Sequence, residues 1–208
     1  MTISDSLWQA NQDLAIACLQ HPFVQGIGNG SLATEKFAYY VGQDAFFLTA
    51  FAKAYSIAAA KSADISGFEV FHALASGVLD ELRLHRSYAA RWGVNLTQVE
   101  PGAATQRYTD FLLATAWSQD IGLTAVAMAP CMRLYLFLGQ ELGQAAPFSH
   151  GYKDWIDTYS SEAFAKLTFQ LENLVERYAT PIPLAYSSYR YAMVCERDFF
   201  QAAWTVDR

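Results

Sequence analysis

The sequence predicts an all-α protein, a helical bundle folded as a single domain. Three observations lead there. Apolar residues recur at three- and four-residue spacing along most of the chain. Alternating strand patterns are hard to find. Glycine and proline gather between the periodic stretches, where helices have to stop. The 208 residues suffice for one domain with a sizeable core and are short for two.

Ser4 or Asp5 can cap a first helix running to about Gln20. His21–Gly30 then carries one proline and three glycines, which predicts a tight turn. Thr34 is the natural N-cap of a long helix to about Lys61. Another starts at Asp64 or Ser66 and ends near Gly93. The loop Glu100-Pro101-Gly102 precedes a helix over Ala104–Trp117. Further helices are predicted over Gly122–Leu142, Tyr152–Thr158, Glu162–Tyr178 and Leu184–Trp204, with Pro181 and Pro183 ahead of the last. No internal repeat, low-complexity tract or interdomain linker interrupts the pattern.

Composition narrows the function classes. Hydrophobic residues make up 53% of the chain and charged residues only 16%, against a usual charged share of about 25%. Such an apolar surplus predicts a surface covered by a second copy, hence a homo-oligomer. The net charge is −6 and no Lys/Arg cluster forms a footprint for nucleic acid. The N-terminus, Met-Thr-Ile-Ser-Asp-Ser, lacks the basic stretch and apolar run of a signal peptide. No apolar stretch reads as an uninterrupted membrane span, so no membrane partner is expected. Cys18, Cys131 and Cys195 are odd in number and far apart, which predicts free thiols in a reducing, cytoplasmic compartment.

Helical bundles build their sites from side chains on facing helices, so polar residues on apolar stripes are informative. Phe37, Tyr40, Val41, Leu48 and Phe51 mark the buried face of one helix, and Asp44 lies on the same stripe. Ala192, Phe199 and Ala203 mark another, with Glu196 among them. Met128, Leu138 and Leu142 share a face with Cys131 and Tyr135. Neither carboxylate has a basic residue three or four positions away on its stripe, so each needs a partner from another helix or a ligand. Taken singly, a carboxylate here can be satisfied by a structural donor, Cys131 can be an inert small hydrophobe, and Tyr135 and Tyr159 can be ordinary core residues. Their convergence, with Pro130 set one residue before the thiol, points to nucleophilic catalysis with acid–base assistance.

These segments together resemble the TenA (thiaminase II) family. HPFVQGIGNG at 21–30, FAYYVGQD ending at Asp44, Glu81-Leu-Arg-Leu-His85, Pro130-Cys131 with Tyr135, Trp155-Ile-Asp-Thr-Tyr159 and Glu196-Arg-Asp-Phe199-Phe200 occur in the family's order over nearly the whole chain. The resemblance implies a heme-oxygenase-like fold, usually a homotetramer, and no cofactor. It implies hydrolysis of a C–N bond in thiamin or in 4-amino-5-aminomethyl-2-methylpyrimidine, releasing 4-amino-5-hydroxymethyl-2-methylpyrimidine for thiamin salvage. Cys131 would attack the pyrimidine ring, Glu196 would exchange protons, and Asp44 would bind the amino-pyrimidine edge. Tyr108, Tyr135 and Tyr159 would line the pocket, and Phe47 and Phe199 would sandwich the ring. The sequence departs from the family pattern at Phe47, where Tyr is common, at Arg133, at Phe200 and at Ser160-Ser161. A branch of the family lacks the cysteine and relies on carboxylates.

Two alternatives use the same bundle. A metal-dependent oxidase needs carboxylates plus Glu-x-x-His-type pairs on facing helices. Glu81 and His85 offer a pair, but none of the four histidines lies after His150, so no metal is expected. A non-catalytic pyrimidine-binding or regulatory protein would keep Asp44 and the aromatics without needing both Cys131 and Glu196.

Overall fold

Among the residues that the computed structural model describes, 1–145 and 150–206, the chain forms ten α-helices and no strand. They are α1 (Ile3–Gln9), α2 (Gln12–Leu19), α3 (Pro22–Gly28), α4 (Thr34–Lys61), α5 (Ile65–Arg91), α6 (Ala103–Ser118), α7 (Ile121–Ala145), α8 (Lys153–Ser160), α9 (Glu162–Tyr178) and α10 (Pro183–Thr205).

The N-terminal third differs from the sequence expectation in four places. The first cap is Thr2 and not Ser4 or Asp5, its hydroxyl accepting the Asp5 N–H at 3.1 Å. The first helix is two, because buried Asn11 turns its amide back onto the Leu7 carbonyl at 2.8 Å and ends α1 there. The expected tight turn at 21–30 is mostly helix. Pro22 sits at the first helical position, where its missing N–H costs nothing, and His21 Nδ1 accepts the Phe23 N–H at 3.2 Å. Gly30, with φ of 75°, makes the reversal that follows. Thr34 is the first residue of α4, and Ala33 holds the cap position without a side-chain bond. Asp64 does cap α5, accepting from the Gly67 N–H at 2.8 Å.

The α4 stripe is buried as its spacing requires, through Phe37, Tyr40, Val41, Asp44, Phe47, Leu48, Phe51 and Tyr55. Residues 62–64 turn the chain back so that α5 packs along α4. Helix α7 lies inside, packed by α8, α9 and α10, and it runs on through Pro130. That proline brings no N–H to the Val126 carbonyl one turn earlier. One sequence expectation is corrected here. Ile121–Gln144 is long and apolar enough to cross a membrane by length and composition, but 78% of its most apolar stretch is buried inside the bundle. A helix apolar on all sides is what a bundle centre requires.

Two glycines set how closely α7 is gripped. A Cβ at Gly139 would stand 2.5 Å from the Tyr159 carbonyl carbon and 2.6 Å from the Ser160 nitrogen, so α8 lies backbone against backbone on α7. A Cβ at Gly122 would stand 2.2 Å from the Tyr178 carbonyl oxygen. On the outside, Trp117 is 72% exposed and Ile65 71%.

Candidate active site

The folded bundle gathers Asp44, Phe47, Tyr108, Cys131, Tyr135, Tyr159, Glu196 and Phe199, every site residue singled out in the sequence, around one cavity of about 110 Å³. That is the scale of a single six-membered ring, judging by cavities of roughly 150 Å³ that accept benzene. The polar groups come from α4, α5, α6, α7, α8 and α10, and the walls between them are aromatic and aliphatic.

The chemistry centres on Glu196, which is 2% exposed. The Tyr108 hydroxyl donates to its Oε1 at 2.7 Å, and Cys131 lies on the same cavity wall, close enough for the two groups to shift each other's ionisation. Burial, opposed by Tyr108 and Cys131 and reinforced by the charge of Asp44, raises the Glu196 pKa to about 8. Cys131 is pushed well above its ordinary value, first by burial and then by the neighbouring Glu196. At neutral pH the thiol is therefore uncharged and the carboxyl largely protonated, and the minor ionised fraction of the carboxyl is available as a base. The phenols of Tyr108 and Tyr135 are raised in the same direction by burial.

Asp44 is held differently. His85 Nε2 lies 2.8 Å from the Val41 carbonyl oxygen, a contact that only an N–H can make, so Nδ1 is the atom facing Asp44 Oδ2 at 3.7 Å. Burial raises the Asp44 pKa and His85 opposes the rise. Behind the cavity, Trp155 Nε1 donates to the Tyr40 hydroxyl at 3.3 Å, and that hydroxyl donates to Tyr135 at 3.2 Å. This relay fixes the Tyr135 ring, which also meets Tyr159 edge-on with centroids 4.8 Å apart.

Phe47 and Phe199 do not form the slot expected of them. Their centroids are 6.4 Å apart and their planes are tilted by 58°, whereas stacking on both faces of a ring takes two parallel planes. Phe47 instead leans on Tyr108 and stacks on Phe51. The other departures lie off the cavity. Arg133 points outward to Glu172, 3.1 Å away, and over the Trp8 ring. Phe200 packs behind the site against Phe23 and Tyr135. Ser161 caps α9 by accepting the Phe164 N–H at 3.1 Å.

Two polar residues of the cavity were not among those selected from the sequence. Glu81 lines the wall beside Asp44, and the hydroxyl of Tyr55 is buried there without a hydrogen-bond partner. Glu81 was visible in the family-like segment ending at His85 and as a partner of His85 in a metal pair, with no role in the site, and Tyr55 continues an apolar stripe like any core tyrosine. No group of three or more His, Cys, Asp or Glu side chains suited to a metal occurs among the described residues.

Comparison with known proteins adds independent findings. Residues 8–204 match the profile of the TENA/THI-4/PQQC family. The chain is 33% identical over 185 residues to a protein of Halalkalibacterium halodurans named aminopyrimidine aminohydrolase, covering 86% of this chain and 83% of that one. It is 34% identical over 223 residues to the bifunctional TH2 protein, mitochondrial, of Arabidopsis thaliana, covering 94% of this chain but only 36% of that longer one. Among solved structures, a TenA homologue from P. horikoshii superposes with a TM-score of 0.90 at 22% identity, covering 98% of this chain and 99% of that one. A heme oxygenase from Synechocystis superposes with a TM-score of 0.67 at 15% identity, covering 97% and 92%. The all-α, heme-oxygenase-like fold expected from the sequence is the one found.

Proposed function

The chain belongs to the TENA/THI-4/PQQC family, and from that premise we propose that it is a hydrolase of aminopyrimidines, an aminopyrimidine aminohydrolase of thiaminase II type, acting in thiamin salvage. The observation that carries this reading is the convergence of Cys131, Glu196 and Asp44 on one ring-sized cavity. Asp44 binds the amino-pyrimidine edge, which offers a ring-nitrogen acceptor beside an amino donor. A carboxyl matches both, accepting from the amino group and, when it holds a proton, donating O–H to the ring nitrogen; burial favours the protonated form and His85 opposes it. In the form where Glu196 is ionised, the Cys131 proton passes to it and the thiolate adds to the ring, and the addition supplies the electrons that expel the substituent on the exocyclic methylene. Glu196 then holds the proton it must return. Tyr108 and Tyr135 keep carboxyl and thiol in place. The mechanism uses no cofactor.

A homo-oligomer, a tetramer by family resemblance, and a cytoplasmic setting belong to the same proposal. The low charged fraction and the exposed Trp117 and Ile65 support the first, and three unpaired thiols the second. The test is direct. Purified protein is mixed with 4-amino-5-aminomethyl-2-methylpyrimidine or thiamin, and the hydroxymethyl product is measured. Hydrolysis that disappears in Cys131→Ser supports the reading, and no product from either substrate sinks it.

A further inference from the structure

Glu81 is the carboxyl in the cavity to which the reading above assigns nothing. Only three residues, Asp44, Glu81 and Tyr159, line both the catalytic cavity and a second, larger one of about 640 Å³ beside it. They form the partition between the two. Asp44 has His85 at 3.7 Å. Glu81 has no hydrogen-bond or ion-pair partner among the described residues, is exposed, and lines both cavities. Its charge reaches Cys131 and Tyr159, and the charge of Asp44 reaches it.

Substrate geometry gives this position a meaning. On 4-amino-5-aminomethyl-2-methylpyrimidine the ring amino group and the aminomethyl arm sit on neighbouring carbons. A side chain next to the one that reads the amino edge therefore meets the departing amine. Resting on the function proposed above, we infer that Glu81 is a second acid–base group of the site, protonating the leaving nitrogen and releasing it toward the larger cavity. Burial, then the charge of Asp44, with His85 opposing, raises the Glu81 pKa to about 7. A carboxyl raised in this direction keeps its proton to higher pH than an ordinary glutamate, as a proton donor to a leaving group requires.

The step balances. The substrate enters this step as the neutral amine; as the C–N bond breaks, its electron pair goes to nitrogen, the proton moves from Glu81 to that nitrogen, and ammonia leaves. The Glu81 carboxylate then takes a proton from the water whose oxygen forms the new C–O bond. Amine and water become alcohol and ammonia, with Glu81 and Cys131 restored. Thiamin makes a contrasting demand. Its leaving nitrogen is already cationic, departs with the bond electrons as a neutral thiazole, and takes no proton.

The experiment compares both substrates in the intact wild-type chain, Glu81→Gln and Glu81→Asp. With Glu81→Gln, hydrolysis of the aminomethylpyrimidine should fall by about a hundredfold, and the ratio of the two rates should shift toward thiamin by at least about tenfold. Glu81→Asp, which keeps an acid on a shorter arm, should recover part of both. Binding of the hydroxymethyl product within about twofold of wild type establishes that each variant is folded. Equal loss on both substrates, or no loss on either, overturns the role of Glu81 and leaves the proposed function standing. Wild-type protein inert toward both overturns the function itself and the inference with it. Wild-type protein active on thiamin alone overturns the inference only.

Discussion

Glu196 carries the sharpest residue-scale expectations. In the unfolded chain its carboxyl ionises above its ordinary 4.5, whereas the folded protein keeps the proton to about 8. Between those values the folded state binds more protons, so this group makes stability fall as pH rises from about 4.5 to 8. Glu196→Gln removes that penalty and can still accept from Tyr108. It should lose turnover by about a hundredfold or more, yet unfold later than wild type at pH 8 by a few kcal/mol, of order 3. The gain should fade toward pH 4.5. Urea midpoints at the two pH values check this, and equal midpoints for variant and wild type at pH 8 count against a buried, protonated Glu196. Cys131→Ser should bind the hydroxymethyl product normally while losing turnover by roughly a hundredfold, because a hydroxyl there ionises too rarely. Asp44→Ala should lose about tenfold to a hundredfold in product affinity, the value of a buried charge-assisted hydrogen bond. Asp44 and Glu196 were legible in the sequence because a carboxylate three or four residues from apolar neighbours is a local pattern. Phe47, Tyr108 and Phe199 were not legible from spacing and came from the family resemblance. Glu81 acquires its meaning only from what α4 and α7 place opposite it, and such contacts leave no mark in local spacing.

At the scale of elements, the contact of α7 with α8 is the most exacting. Gly139 lets the two backbones touch, and the contact sets Tyr159 against Tyr135. In Gly139→Ala the new methyl meets backbone atoms at 2.5 and 2.6 Å that no rotamer change can clear, so α8 has to move. The expected cost is about 1–3 kcal/mol of stability, together with weaker product binding as Tyr159 leaves the wall. A urea titration and a product titration on that variant measure both, and unchanged values in both would falsify the tight contact. The long helices were readable from end to end, since twenty or more residues of one periodicity outweigh local punctuation. The short N-terminal ones were not. The break at Asn11 depends on a side-chain amide bonding back to Leu7, and α3 depends on a histidine accepting a backbone N–H. Neither shows in apolar spacing, so a proline and three glycines looked like a turn.

For the whole molecule, exposed Trp117 and Ile65 and the sparse charge lead to the expectation of self-association. Light scattering on dilute protein should give a mass well above 23.1 kDa. A monomer at micromolar concentration refutes this.

Each helix from α4 to α10 contributes at least one side chain to the catalytic cavity. A pocket so distributed cannot outlast the loss of any one wall, which turns catalysis into a gauge of global folding. Activity and helical circular dichroism should vanish at the same denaturant concentration, as all-or-none unfolding requires. Ligand binding should also stiffen the entire bundle. Product at about a hundred times its dissociation constant adds roughly 2.7 kcal/mol, enough to delay the melting of α5 as much as that of α10.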